Sequence, residues 1–182
     1  MSKKLLIYGL AFGSASAALS YIYLTSYVYK SSGWVQLFSI LGEFLIIPAI
    51  GIFLFLKSFK CENIEQFTLG RAVFMGFLLS VIISAAVSLL YSYIYQFQPA
   101  YVAQIIDFKI DQYVNSEAAL KIKQNNLAEY EKDIAAYGAY IKTEVYSMRA
   151  QFVSQLFLGA SRGLFLSAIF AYLMRPKTTK QD

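Results

Sequence analysis

Histidine is absent from the 182-residue chain, cysteine occurs once, at Cys61, and only 15% of the residues are charged. Without histidine there is no imidazole acid or base, no Cys/His zinc site and no haem held by histidine. A single cysteine excludes an internal disulfide. The acids show no metal-ligand spacing, so the sequence predicts no catalytic residue, no metal and no cofactor, and the chain reads as non-enzymatic. Charge is scarce because apolar residues fill the chain: 58% are hydrophobic and the mean hydropathy is +0.50, well beyond a soluble domain. That surplus belongs in lipid.

Four stretches reach the length of about 20 apolar residues that a bilayer crossing needs. They are residues 5–28, 35–56, 72–95 and 152–174. Lipid offers no partner for open backbone groups, so each must be a helix. The first stretch also has the outline of a signal peptide, with Lys3 and Lys4, an apolar run, and then Ala15-Ser16-Ala17. The run continues through residues 19–28 to full spanning length, so an uncleaved anchor is expected. The fold class is then an all-α integral membrane protein, one membrane domain over 1–182. Its four transmembrane helices carry an extracytoplasmic helical hairpin, 96–151, between the third and the fourth.

Lysine and arginine near the span ends set the orientation. Lys3, Lys4, Lys57, Lys60, Arg71, Arg175, Lys177 and Lys180 fall on one side, and Lys30 stands alone on the other. The segment 96–151 holds six basic and seven acidic residues, mostly far from a span, and carries little weight. Both termini of this multi-pass chain are therefore expected in the cytoplasm, with Cys61 a reduced thiol in a cytoplasmic loop. Tyr21, Tyr23, Tyr27, Tyr29, Trp34, Tyr91, Tyr93, Tyr95 and Tyr101 gather at the outer boundary, where amphipathic rings sit well. An interfacial belt explains them better than a ring-stacking ligand site. The net charge of +5 is accounted for by basic flanks against anionic headgroups, so the bilayer is the expected partner and nucleic acid is not.

Within 96–151, Pro99 suits the first turn of a helix, and Ile105, Ile106, Phe108 and Ile110 make a mixed apolar run up to Asn115-Ser116. A second helix follows, with Ser116 as its cap. Its Leu127, Tyr130, Ile134, Tyr137, Ile141, Val145 and Met148 are spaced by threes and fours. No proline or glycine pair interrupts the stretch from Met148 to Phe152, so this helix is expected to enter the fourth span as one rod. An apolar seam in water has to be covered, most simply by the first helix folding back, otherwise by a second copy of the chain or another protein. Leu127, Tyr130, Ile134, Tyr137 and Ile141 are the candidate partner-binding residues.

Two charged residues lie inside the spans, Glu43 in the second and Arg162 in the fourth. At about 1.5 Å per residue they sit about 12 and 15 Å from the outer boundary, level with each other. A lone charge at that depth costs about 2.5–3.5 kcal/mol on insertion scales, so the two are expected to meet. A gate, an ion path or an anionic-ligand site is the functional reading. A structural pair that fixes helix register is the plainer one, favoured by the lack of further acids. Small residues recur every four positions as Ala72, Gly76, Ser80, Ser84, Ser88 and Ser92 in the third span, and as Gly159, Gly163, Ser167 and Ala171 in the fourth. Such stripes let helices approach closely, and a packing role outweighs a hydroxyl-lined pore. Gly42, Pro48 and Gly51 should loosen or kink the second span beside Glu43.

The stretch 67–112 includes Phe67-Thr68-Leu69-Gly70-Arg71-Ala72, Gly76-Phe77-Leu78, Tyr91-Ser92-Tyr93-Ile94-Tyr95 and Pro99-Ala100-Tyr101. It resembles the bacterial family catalogued as domain of unknown function 4199. In layout the likeness covers the whole chain, including Gly51-Ile52-Phe53 and the basic tail. The resemblance implies an inner-membrane protein of four helices with an extracytoplasmic helical segment after the third. It brings no established activity and no catalytic residues, and an arginine in the fourth span is not assigned to its pattern. Two functions are then in play. The first is an accessory or assembly subunit binding a partner through its outer segment; the alternative is a small transporter or channel using Glu43, Arg162 and the serine stripe.

Overall fold

The computed structural model describes residues 2–28, 33–62 and 67–175; Tyr29, Lys30, Lys177 and Lys180 of the topology argument lie outside the described residues, as does the Tyr27 side chain. Every regular element among the described residues is helical. The first span is α1, Ser2–Val28. The second is α2, Gly33–Leu41, a π turn at Gly42–Ile46, and α3, Ile47–Glu62. The third is α4, Leu69–Phe97. Three helices follow, α5 (Pro99–Val114), α6 (Glu117–Asn125) and α7 (Leu127–Tyr140), then a second π turn at Ile141–Val145. The chain ends in α8, Met148–Leu173. Four helical stretches, Lys3–Thr25, Gly33–Glu62, Leu69–Phe97 and Met148–Leu173, are long and apolar enough to cross a membrane, and they overlap the four expected spans.

Capping chemistry sets the boundaries. Thr68, in extended backbone, accepts from the Arg71 N–H at 3.4 Å and starts α4. Pro99 opens α5, where its missing N–H is no loss. Ser116 accepts from the Ala119 N–H at 3.3 Å, the cap its sequence position suggests.

The continuous rod expected from Ser116 into the fourth span is not formed, and the segment is three helices rather than a two-helix hairpin. Asn126 (φ −155°, ψ 106°) breaks the run, its side-chain oxygen accepting from the Ala128 and Glu129 N–H groups at 3.1 and 3.3 Å. Ser147 (φ −86°, ψ 148°) breaks it again, accepting from the Ala150 N–H at 3.2 Å to begin α8. Both side chains offer the backbone a local bond that competes with the helix interior.

The most extensive helix contact is between α4 and α8, with α1 packed along α4. The small-residue stripes make it possible. A Cβ at Gly159 would collide with Ser84, one at Gly163 with Ser80, and one at Gly76 with Ser167, so each glycine receives a serine of the facing helix. Ser80 Oγ donates to the Gly159 carbonyl at 2.8 Å and Ser88 Oγ to that of Phe152 at 3.4 Å. Ser80, Ser84, Ser88 and Ser167 of the two stripes are buried in this packing. Large apolar side chains such as Phe74, Leu89, Phe157 and Phe165 point out of the bundle, where lipid would cover them. Inside are two apolar clusters. One is built on Ile52, Leu56, Met75 and Leu79, the other on Leu24, Val87, Ile94, Val102 and Ile105. Buried polar residues, Ser16, Ser20, Glu43 and Ser84, come from the stretches of chain between them.

Candidate functional site

The intramembrane site follows from Pro48. A proline has no N–H to give to the carbonyl four residues back and crowds it sterically, here that of Phe44. One turn earlier the helix has already widened: the Ile47 N–H reaches five residues back to the Gly42 carbonyl. The Glu43 carbonyl therefore loses Ile47, and the next residue, Pro48, has no N–H to offer. Two adjacent carbonyls are left open in the bundle interior, and each would cost about 1–3 kcal/mol if unpaired.

Arg162 of α8 fills both. Its Nη1 donates to the Phe44 carbonyl at 3.0 Å and to the Glu43 carbonyl at 3.4 Å, while Nη2 donates to Ser84 Oγ at 3.3 Å. The guanidinium also lies 5.5 Å from the centre of the Phe44 ring. Glu43 and Arg162 are thus level and in contact, but through the Glu43 backbone. No hydrogen bond or ion pair joins the guanidinium to the Glu43 carboxylate among the described residues. The expected pairing of the two charges takes a different form: Nη1 goes to the open carbonyls next to Pro48, Nη2 to Ser84, and the buried Nε has no hydrogen-bond partner.

The Glu43 side chain points elsewhere. It is 2% exposed and lies beside the Ser20 hydroxyl of α1, which donates to the Ser16 carbonyl at 3.0 Å. Its Oε2 has no hydrogen-bond partner, and neither does Ser16 Oγ one turn away. The Tyr91 side chain of α4 is within electrostatic reach of Glu43 and, further along, of Tyr23, Tyr95 and Tyr146. Among the described residues no cluster of acids, cysteines or histidines can hold a metal.

The seam of α7 faces inward. Tyr130 is 7% and Ile141 6% exposed, and Ile141, Tyr137 and Val145 join the apolar cluster with Val102, Ile105, Ile106 and Ile110. Tyr137 stacks on Tyr113 of α5 with ring centres 3.9 Å apart. Ile134 is half-buried and Leu127, at the end of the seam, is 58% exposed. The cover is α5 and α6 folding back. Beside it the Tyr113 hydroxyl donates to Asp133 Oδ2 at 2.6 Å, and that carboxylate raises the phenol above its ordinary pKa of 10.

Sequence reasoning placed Glu43 and Arg162 at one level but missed Ser16, Ser20 and Tyr91 as neighbours of the acid. The first two lie next to the Gly9, Gly13, Ala17 stripe of α1, at the same spacing of four, and that spacing was the available signal.

Fold and site together define a helical protein of membrane type with a buried polar centre. The chain matches the family model described as protein of unknown function, DUF4199, over residues 7–176, nearly its whole length, and belongs to that family. No curated protein and no solved structure matches it.

Proposed function

We propose that this is a non-enzymatic, multi-pass protein of the bacterial inner membrane, with both termini in the cytoplasm and α5–α7 outside, in which Glu43 is the proton-exchanging carboxyl of a small transporter. The observation that carries the reading is the Glu43 carboxyl, buried in the bundle with Oε2 unpartnered and with the nearest cation committed to backbone carbonyls. An acid inside a membrane span marks an ion or proton path far more often than a structural accident. A proton suits it better than a divalent metal ion, which asks for about six or more oxygen ligands where one carboxyl and two serine hydroxyls are at hand.

Reconstitution in liposomes with a trapped pH indicator tests this. Under an imposed potassium diffusion potential the wild type should admit protons, and Glu43→Gln should not. Equal flux in both, or none in the wild type, overturns the reading.

The other reading is an accessory or assembly subunit that docks a protein partner, or a second copy, through its outer segment. It needs the Leu127, Tyr130, Ile134, Tyr137, Ile141 seam free, and most of that seam is packed inside the chain. It predicts a stoichiometric partner on purification in mild detergent, retained in Glu43→Gln.

A further inference from the structure

The two halves of the second span are held very unequally. α3 packs on α1, α4 and α8 and buries Ile52, Phe55, Leu56 and Phe59. α2 packs chiefly on α1. It buries Ser39, while Trp34, Leu37, Phe38 and Leu41 lie outward. Helix association in lipid depends on close van der Waals packing, and α2 has little of it. The joint between the halves runs from Gly42 to Pro48, and a widened turn and a proline are two of the places where helices bend. Arg162 of α8 holds the Glu43 and Phe44 carbonyls at this joint. Toward α1 the joint presents Gly42, against Leu19, and the Glu43 carboxyl, beside Ser20.

A thinly packed half-helix, joined at a bend to a firmly packed one with a buried carboxyl at the joint, has the parts of a gate. We infer that α2 is the gate of the Glu43 site, pivoting at Gly42–Pro48 away from α1 while α3, α4 and α8 stay in place. Leu24, in the last turns of α1, packs with Val102 and Ile105 of α5, and α2 begins shortly after α1 ends. The swing therefore opens the carboxyl toward the side that carries α5–α7. The charge of Glu43 supplies the drive. An ionised carboxyl costs far more to bury than a neutral one, so ionisation favours the open position of α2 and neutralisation the closed one. The inference rests on Glu43 being the proton-exchanging carboxyl and adds the side from which a proton reaches it.

Double electron–electron resonance on the full chain in lipid nanodiscs tests the inference. With Cys61→Ser as background, spin labels go on Trp34→Cys and Leu89→Cys, outward-facing positions of α2 and α4. Trp34 stands about 12 Å along the helix from Gly42, so a swing of about 20° moves it by about 4 Å. With Glu43 in place the pair should show two distances about 4 Å apart, and with Glu43→Gln one of the two. The control pair Leu54→Cys with Leu89→Cys, between α3 and α4, should give one distance throughout. A Trp34 to Leu89 distribution that Glu43→Gln leaves unchanged overturns the gate, even where liposomes carry protons in a Glu43-dependent way. Two distances that Glu43→Gln reduces to one, in a protein that carries no protons, would support the pivot and overturn the proton reading, so the two failures are told apart. Should Glu43→Gln fail to fold, the labelled chain with Glu43 decides, a single distance overturning the pivot.

Discussion

Removing Arg162 tests whether its task is to neutralise Glu43 or to mend the helix at Pro48. Arg162→Leu strips the donors from the Glu43 and Phe44 carbonyls, at about 1–3 kcal/mol for each carbonyl left open. It also removes a buried cation whose insertion costs about 2.5–3.5 kcal/mol. These terms oppose each other and are similar in size, so the single variant is a weak test and a double-mutant cycle is the right one. Pro48→Ala restores an N–H four residues after Phe44. In that background Arg162→Leu should cost less by about 1–3 kcal/mol, the worth of one carbonyl. Glu43→Leu leaves both carbonyls where they are and should give no such relief. Unfolding of the single and double variants in detergent, followed by helix content, reads both cycles. Relief from Glu43→Leu and none from Pro48→Ala would refute the backbone role and restore a simple ion pair.

Gly159→Ala and Gly163→Ala should each destabilise by about 1–3 kcal/mol, as overpacking does, because the new Cβ meets Ser84 or Ser80; Gly70→Ala, with nothing within 4 Å, is the control, and equal melting of all three would count against the α4–α8 packing. The raised pKa of Tyr113 means that its bond to Asp133 contributes fully below the ordinary phenol pKa of 10 and is lost as the pH rises through the higher folded value. Stability of the wild type should therefore fall more steeply above pH 10 than that of Tyr113→Phe, and parallel pH curves would exclude the bond. With Cys61→Ser as background, a cysteine at Asn125 should react with an impermeant thiol reagent on intact cells. Labelling only after lysis would reverse the orientation.

The spans were legible because length and hydropathy alone demand them, and the packing stripe because Gly76, Ser80, Ser84 and Ser88 repeat at the period of a helix face. The depth of Glu43 and Arg162 was legible for the same reason, since rise per residue is fixed. What Arg162 bonds to was not. Its acceptors are backbone carbonyls, which every residue has, and only Pro48, four places after Phe44, marks which of them lack a donor. The breaks at Asn126 and Ser147 were hidden because the apolar period runs through them unbroken, while the capping strength of each side chain is a local matter. Periodicity located the seam of α7, but it does not say what lies against it; that took the position of α5.

The division of labour at the polar centre bears on what Glu43 is for. Had Arg162 met the carboxylate, the pair would satisfy itself, and a register-fixing role would be enough to explain it. Instead Pro48 and the widened turn at Gly42–Ile46 open two carbonyls that occupy the guanidinium. The carboxylate is left with the Ser20 hydroxyl on one side and no hydrogen-bond partner at Oε2. A buried acid whose carboxyl makes no hydrogen bond to the cation at its level still bears the cost of its burial, and the proline beside it also lowers the helix-forming tendency of its span. Two locally unfavourable features at adjacent turns, each of which a single substitution could remove, are the pattern expected where a site is held for use rather than for packing.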